Sequence, residues 1–317
     1  MKAIVRDGYG PLDVLRFDDV ERPAPGPGQV LVRVRAAGVD PSIWHLTSGE
    51  PYLIRLMGYG LRRPKRPVPG LDLAGVIEEI GPGVTEFRPG DEVFGTANGS
   101  FAEYAVTAAT RVVPKPSNLT FEQAAAVPVS ACTALQGLRT VHPGQRALVI
   151  GAGGGVGTYA VQLAKALGAH VTGLCSTAKT ELVRSLGADD VVDYKREPLT
   201  GRYDVILDTA GDRPLSQLRQ HLTPKGTLII VGGEGGGRFV GGVARTLRAA
   251  LLSPFVGQQL RGLFATARAE DLRELRRLIE DGAVTPAVDR TFPLSDAVAA
   301  IRHVRSGQAR GKVVVTP

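Results

Sequence analysis

The sequence predicts a two-part α/β chain: a doubly wound parallel sheet with covering helices, beside a β-rich, barrel-type domain of short strands. Three observations carry this. A strand, glycine turn, helix and second strand run from Arg146 to Lys179. Strands and helices then alternate as far as Phe264, whereas roughly the first 120 residues break into short strands between Pro-Gly turns. At 317 residues the chain exceeds the usual single-domain size, so two domains are expected.

In chain order, strands are predicted at Lys2–Val5, Gln29–Ala37, Gly75–Ile80, Asp91–Gly95 and Phe101–Thr107. In the second of these Val30, Val32 and Val34 alternate with Arg33 and Arg35, the pattern of a half-buried strand. Pro-Gly pairs at 25–28, 69–70, 82–83 and 89–90 punctuate them. Residues 50–69 form a long basic loop with Arg55, Arg62, Arg63, Lys65 and Arg66 beside Tyr52, Leu53, Leu56 and Tyr59. It reads as a substrate lid, as a surface for an acidic partner, or as a solvated loop.

An alanine-rich helical stretch from Phe121 leads to the glycine turn. Ala147–Ile150 is an apolar run, as in a strand covered on both faces. Gly151, Gly153, Gly154, Gly155 and Gly157 follow, with Val156 opening an apolar stripe through Ala160, Leu163, Ala164 and Leu167. Gly168 stops that helix and His170–Leu174 is the next strand. A bare turn at a helix N-terminus lets backbone N–H groups and the positive dipole end approach a pyrophosphate, so this is the first βαβ unit of a dinucleotide site.

NAD-preferring sites place an acid about twenty residues beyond the first glycine, on the ribose 2′-hydroxyl. No Asp or Glu occurs from Gly151 to Thr180; Ser176, Thr177 and Lys179 stand there, with Arg184 a turn later. Hydroxyls and a cation suit a 2′-phosphate, which predicts NADPH over NADH; the alternative is an ordinary solvated helix start. Further strands are expected at Asp190–Asp193, Asp204–Asp208, Gly226–Val231 and Gln259–Phe264. Thr209-Ala210-Gly211 and Gly232-Gly233 fall at strand C-termini, where open α/β sheets bind ligands. A helix at Ala269–Asp281 and a closing strand–helix–strand segment complete the chain. Val240–Leu252 is amphipathic, with Arg245 and Arg248, and reads as a packed helix, membrane-surface docking being the alternative.

Composition narrows the classes. Two cysteines, Cys132 and Cys175, exclude a disulfide framework and point to a reducing, cytoplasmic interior. The start shows no signal peptide, and no run of about eighteen apolar residues marks a membrane span. The net charge of +7 comes without a nucleic-acid-binding motif, so no specific nucleic-acid partner is expected.

The segments AAGVDPSIWHLTSG, VPGLDLAGVIEEIGPGVTEFRPGDEVFG, FAEYA, AAAVPVSACTALQGL, the glycine turn, LGADDVVDY, DVILDTAGD and ARGKVVVTP together resemble the medium-chain dehydrogenase/reductase superfamily, in its zinc-free, quinone oxidoreductase-like branch. The resemblance covers essentially the whole chain. It implies a GroES-like substrate domain from residues 1–122 and 267–317 around a Rossmann-like NADP-binding domain at 123–266. Substrate would lie in the cleft between them, and two copies would form a homodimer by pairing edge strands, here Gln259–Phe264.

Zinc-containing relatives have Cys where this chain has Asp40, His at Leu71 and Cys near Val129. Leu71 and Val129 cannot coordinate, and a catalytic zinc needs three protein ligands, so no zinc is expected. Without a Lewis acid, conjugate reduction is favoured: hydride adds to the β-carbon of an enone or quinone and hydrogen bonds stabilise the enolate.

The resemblance also names site residues. Asp40 takes a position commonly Asn in zinc-free relatives, and an Asp donates a hydrogen bond only when protonated. Ser42 and His45 match a hydroxyl–histidine proton relay; a packed histidine beside Trp44 is the alternative. Tyr52 resembles an active-site tyrosine, or anchors the loop, and Trp44 and Tyr52 would line the substrate. Thr133 matches a cofactor-contacting threonine, or packs its helix. Tyr194 resembles an aromatic beside the adenosine phosphate, and Gly311 and Lys312 resemble a closing segment that folds over the cofactor.

The function expected is an NADPH-dependent enone, enal or quinone reductase. A pathway reductase acting on an enoyl thioester or a natural-product intermediate is the alternative within the enzyme class. An NADPH-binding protein acting through a partner or nucleic acid without turnover is the alternative outside it.

Overall fold

The computed structural model describes residues 1–232 and 237–317. Contacts divide these into two units: Met1–Cys132 with Thr266–Gly282 and Pro286–Pro317, and Thr133–Ala265 with Ala283–Thr285. The sequence reading ended the first domain at residue 122. The helix Phe121–Ala125 instead packs on the strands Gln29–Val39 and Asp72–Ile80, which carries the first unit on to Cys132.

Among the described residues the second unit holds six parallel strands: β1 (Arg146–Ile150), β2 (His170–Cys175), β3 (Asp190–Asp193), β4 (Tyr203–Asp208), β5 (Leu222–Ile230) and β6 (Gln259–Gly262). Their order across the sheet is β3-β2-β1-β4-β5-β6. The winding direction reverses between β1 and β4, so the strand C-termini there form the switch point at which such sheets bind ligands. Every residue of Ala147–Ile150 is buried, as a strand covered on both faces requires. The register sets Asp208 opposite Ile150 and so brings the chain after β4 beside the glycine turn after β1.

The glycine-turn helix spans Gly155–Ala166 and buries Ala160, Val161, Leu163 and Ala164. It ends where Gly168, at φ +77°, turns the chain back. Around the sheet Leu148, Ile150, Leu174, Ile206, Leu228, Ile230 and Leu260 form one apolar core. Gly233 lies outside the described residues.

The first unit is built on the 11-residue strand Gln29–Val39. It pairs antiparallel with Asp72–Ile80, with Tyr104–Ala108 and with the closing strand Lys312–Thr316. The sheet continues through Glu92–Thr96 to Val112–Pro114 on one side and to Val288–Pro293 on the other. Lys2–Val5 and Arg16–Asp19 form a separate pair. One core joins the amino-terminal strands to the closing segment through Val30, Val32, Leu73, Ile77, Leu294, Ile301 and Val313. This is a GroES-like domain made from both chain ends. Among the described residues no helix is long and apolar enough to cross a membrane.

Candidate functional site

The glycine turn is bare for steric reasons that the coordinates make explicit. Gly151 sits at φ +80°, a region L side chains rarely adopt. A Cβ on Gly157 would lie 2.1 Å from the Gly151 carbonyl oxygen. Gly154 takes the N-cap position of the helix without a side-chain cap, so the first-turn N–H groups of Gly155, Val156 and Gly157 face outward with no intrahelical acceptor. Such a turn fits a pyrophosphate, and any side chain at Gly157 would force it apart.

Two other predicted segments, 209–211 and 176–179, lie against this turn. Thr209 donates its hydroxyl to the Ile150 carbonyl at 2.7 Å, and its Oγ1 is where a Cβ on Gly151 would point, 2.5 Å away. Ala210 and Gly211 donate their N–H groups to Asp208 Oδ1 at 3.2 and 3.0 Å. The stem of Lys179 lies over Gly153, whose Cβ would meet it at 2.7 Å. Ser176 takes the N-cap position of the short turn Thr177–Lys179 without a side-chain capping hydrogen bond. Tyr194 is half exposed and donates its N–H to the Cys175 carbonyl at 3.2 Å. Gly232 follows β5 in open space.

The sequence reading missed an acid. None lies between Gly151 and Thr180, but Asp193 at the end of β3 reaches the same rim from the neighbouring strand. Its Oδ2 accepts from Thr177 Oγ1 at 2.5 Å and its Oδ1 from the Lys195 N–H at 3.0 Å, with Arg196 at 3.5 Å. The Thr177 hydrogen bond, against a smaller effect of burial, holds this carboxyl below the usual range. The carboxylate is thus turned inward and spent on shaping the rim. Burial, with Asp193 adding to it, pushes the Cys175 thiol up to about 11, so it is no nucleophile.

A second missed group stands at the switch point. Arg245 donates to Asp208 Oδ2 at 2.5 Å and to the Arg213 carbonyl at 2.8 Å, while its buried Nε and the other terminal nitrogen have no partner among the described residues. Helical amphipathicity alone does not distinguish such a counter-ion from any other cation on the helix. Asp208 is fully buried, and the guanidinium is its counter-charge.

In the first unit, Asp40 and Lys312 are bound to each other. Val313 pairs with Val39 across the sheet, which sets Lys312 against Asp40. The Lys312 ammonium donates to Asp40 at 2.5 Å, to Ser130 Oγ at 3.1 Å and to Asp72 at 3.4 Å; Ser130 also donates to Asp40 at 2.9 Å and the Val129 N–H to Asp72 at 2.9 Å. Gly38 stays bare because a Cβ there would lie 2.8 Å from the Asp72 carboxylate and 2.6 Å from the Ala125 carbonyl.

Burial alone would raise the Asp40 carboxyl, yet the ammonium and converging hydrogen bonds hold it below the usual range. Burial and the neighbouring Asp40 charge push Asp72 well above it. Burial opposes the Lys312 charge, but the two carboxylates outweigh this and raise it. The sequence reading placed Lys312 on the cofactor and Asp40 in catalysis; in the structure the two side chains form a buried ion pair. Gly311, at φ +97°, admits a close crossing: its Cβ would meet the Ala287 carbonyl at 2.3 Å.

The helix Pro41–Ser48 carries the remaining candidates. Ser42 Oγ is buried without a hydrogen-bond partner among the described residues. His45 Nδ1 lies 3.0 Å from the Glu50 carbonyl oxygen. Trp44 packs on the core with the Arg305 guanidinium 3.6 Å above its ring. Tyr52 stacks under Arg55 at 4.6 Å. Thr133 is buried on the helix Pro128–Leu138, in the other unit. The residues that zinc relatives use do not fit a metal: Asp40 is paired with Lys312, and Leu71 and Val129 carry no donor. Among the described residues no group of three or more His, Cys, Asp or Glu is placed to hold a metal ion.

A GroES-like domain beside a Rossmann-type sheet with a bare phosphate turn defines a two-domain, nicotinamide-dependent oxidoreductase. Family models agree: residues 26–117 match the alcohol dehydrogenase GroES-like domain and residues 186–315 the zinc-binding dehydrogenase domain. The chain is 34% identical to the mouse mitochondrial NAD(P)H oxidoreductase RTN4IP1, covering 99% of this chain and 89% of that protein. It is 33% identical to the chloroplast envelope quinone oxidoreductase homolog of Arabidopsis thaliana, over 100% and 98% of the two chains. The structure of the quinone oxidoreductase from Coxiella burnetii superposes with a TM-score of 0.87 at 27% identity, over 100% and 99%. The chain belongs to the quinone oxidoreductase-like branch of the medium-chain dehydrogenase/reductase superfamily.

Proposed function

We propose that this protein is an NADPH-dependent, zinc-independent reductase of electron-poor C=C bonds or quinones. The observation that carries this reading is the buried Lys312–Asp40 pair, with Leu71 and Val129, at the positions where zinc relatives hold their metal. With no Lewis acid to stabilise an alkoxide, an acceptor whose charge is already delocalised is the chemistry left.

The cofactor, when bound, supplies the hydride. The chain's own part is to hold and orient it and to deliver a proton. Gly151 to Gly157 receive the pyrophosphate on first-turn N–H groups, and Thr209, Ala210 and Gly211 shape the adjoining wall. Lys179, with Ser176 and Thr177, is assigned to the 2′-phosphate; the Lys179 stem lies over Gly153 of the phosphate turn, and the Asp193 carboxylate is turned in to Thr177. His45 and Tyr52 are the assigned proton groups, and Ser42 offers a hydroxyl whose partner would come with the ligand. Thr133, Tyr194, Gly232, Gly233 and Gly311 remain assigned to the cofactor, and Trp44 to the substrate. Lys312 acts by holding Asp40.

We further infer a homodimer through the edge strand β6 and a reducing, cytoplasmic setting, which two buried cysteines outside any disulfide support. The deciding experiment follows NADPH and NADH consumption over quinones, enals, cyclic enones and enoyl thioesters. Turnover with quinones or enones and NADPH supports the reading. Preference for a thioester would move the substrate class, and no consumption with any acceptor would overturn it.

A further inference from the structure

We propose that the segment from Arg55 to Arg66 is a docking element for anionic bilayer surfaces. Its tip holds Leu56, Met57 and Leu61 at 70, 61 and 64% exposure, with Tyr59 beside them. Arg62, Arg63, Lys65 and Arg66 are all exposed, and no acid occurs from Pro51 to Gly70.

The exposure is built into the fold. Arg55 donates Nε to the Gly49 carbonyl at 2.9 Å, and its guanidinium lies between the rings of Tyr9 at 4.5 Å and Tyr52 at 4.6 Å. Tyr9 donates its hydroxyl to the carbonyls of Tyr59 and Gly60 at 2.9 and 2.8 Å, and the Lys65 N–H donates to the Tyr59 carbonyl at 2.9 Å. Gly58 and Gly60, at φ +98° and +108°, make the reversal between them. Hydrogen bonds and stacked rings at the base thus hold the apolar tips outward, where packing would have drawn them in.

Each such side chain is stabilised when removed from water, so an occupant that covers them is favoured. It must also take four neighbouring cations without offering each a fixed partner. A bilayer interface does both: apolar tips enter the headgroup–acyl boundary, and each Lys or Arg near an anionic surface adds to the attraction. A small anion would leave Leu56 and Met57 in water.

Flotation of the full chain with phosphatidylcholine vesicles, with and without phosphatidylglycerol, tests this. Binding to the anionic vesicles alone is expected, weakening as salt rises from about 50 to about 500 mM. The variants Leu56→Ser/Met57→Ser/Leu61→Ser and Arg62→Glu/Arg63→Glu should each lose about tenfold or more in affinity. The control Arg273→Glu/Arg277→Glu, on exposed positions of the helix Ala269–Glu280, should bind as the parent does. Thermal melts verify that each variant is folded. No binding to anionic vesicles at low salt overturns the proposal, and so does an equal loss in the control, which would assign binding to net charge. Association with an acidic protein or with itself in place of vesicles also overturns it. None of these outcomes depends on what the enzyme reduces.

Discussion

Lys312 is buried to 1% exposure with Asp40 and Asp72 against it, and a charge so placed is stable only while its partners stay. Removing one partner of such a pair costs about 3–5 kcal/mol, because the other charge is left buried and alone. Lys312→Met should lower the free energy of unfolding in urea by that amount, with Asp40→Asn/Lys312→Met recovering most of it; a loss under about 1 kcal/mol would show the pair to be incidental. At the other rim, Lys179→Ala should raise the KM for NADPH about tenfold and leave that for NADH nearly unchanged. Equal effects on both cofactors would remove Lys179 from the 2′-phosphate. Its placement over Gly153 was legible only as a cation at the right distance along the chain; the inward turn of Asp193 was not legible at all, because it comes from another strand.

The glycine turn is the element most fully determined by local sequence. Its helix begins at Gly155 and its strand ends at Ile150, each within a residue of the sequence-based bounds. Gly157→Ala should abolish NADPH binding, read by fluorescence titration, since its Cβ would meet the Gly151 oxygen at 2.1 Å. Near-parental binding would mean that the phosphate lies elsewhere. Two strands escaped the sequence reading for physical reasons. All four residues of Arg16–Asp19 are exposed, so no alternation marks them, and Val112–Pro114 is only three residues long. The stretch from Phe121 became two helices, the first opened by a capping box of Thr120 and Gln123.

At the scale of the whole molecule, the open question is what covers β6. This strand is the sheet edge, and nearby Leu251, Phe255 and Phe264 are 73, 85 and 69% exposed. Unpaired strand edges beside apolar side chains favour a second copy. Light scattering after gel filtration should give twice the 33.4 kDa chain mass, and Phe255→Asp/Phe264→Asp should give the monomer. A parental monomer at micromolar concentration would sink the edge pairing.

What the sequence determined by itself was what short range controls: the periods that make β1 and its helix, the bare phosphate turn, the two-part architecture and the family. Leu71 and Val129, which cannot ligate a metal, were also legible as letters. Tertiary structure decided everything that depends on register between distant segments. Residues 40, 72, 130 and 312 form one buried cluster only because the closing strand pairs with Gln29–Val39 at Val313 and Val39. Asp193 reaches Thr177 only because β3 lies beside β2. A charge in a sequence has no solvent exposure and no partner until the fold supplies both, and these two quantities make Lys312 a buried counter-ion and leave Lys179 at the rim of the glycine turn.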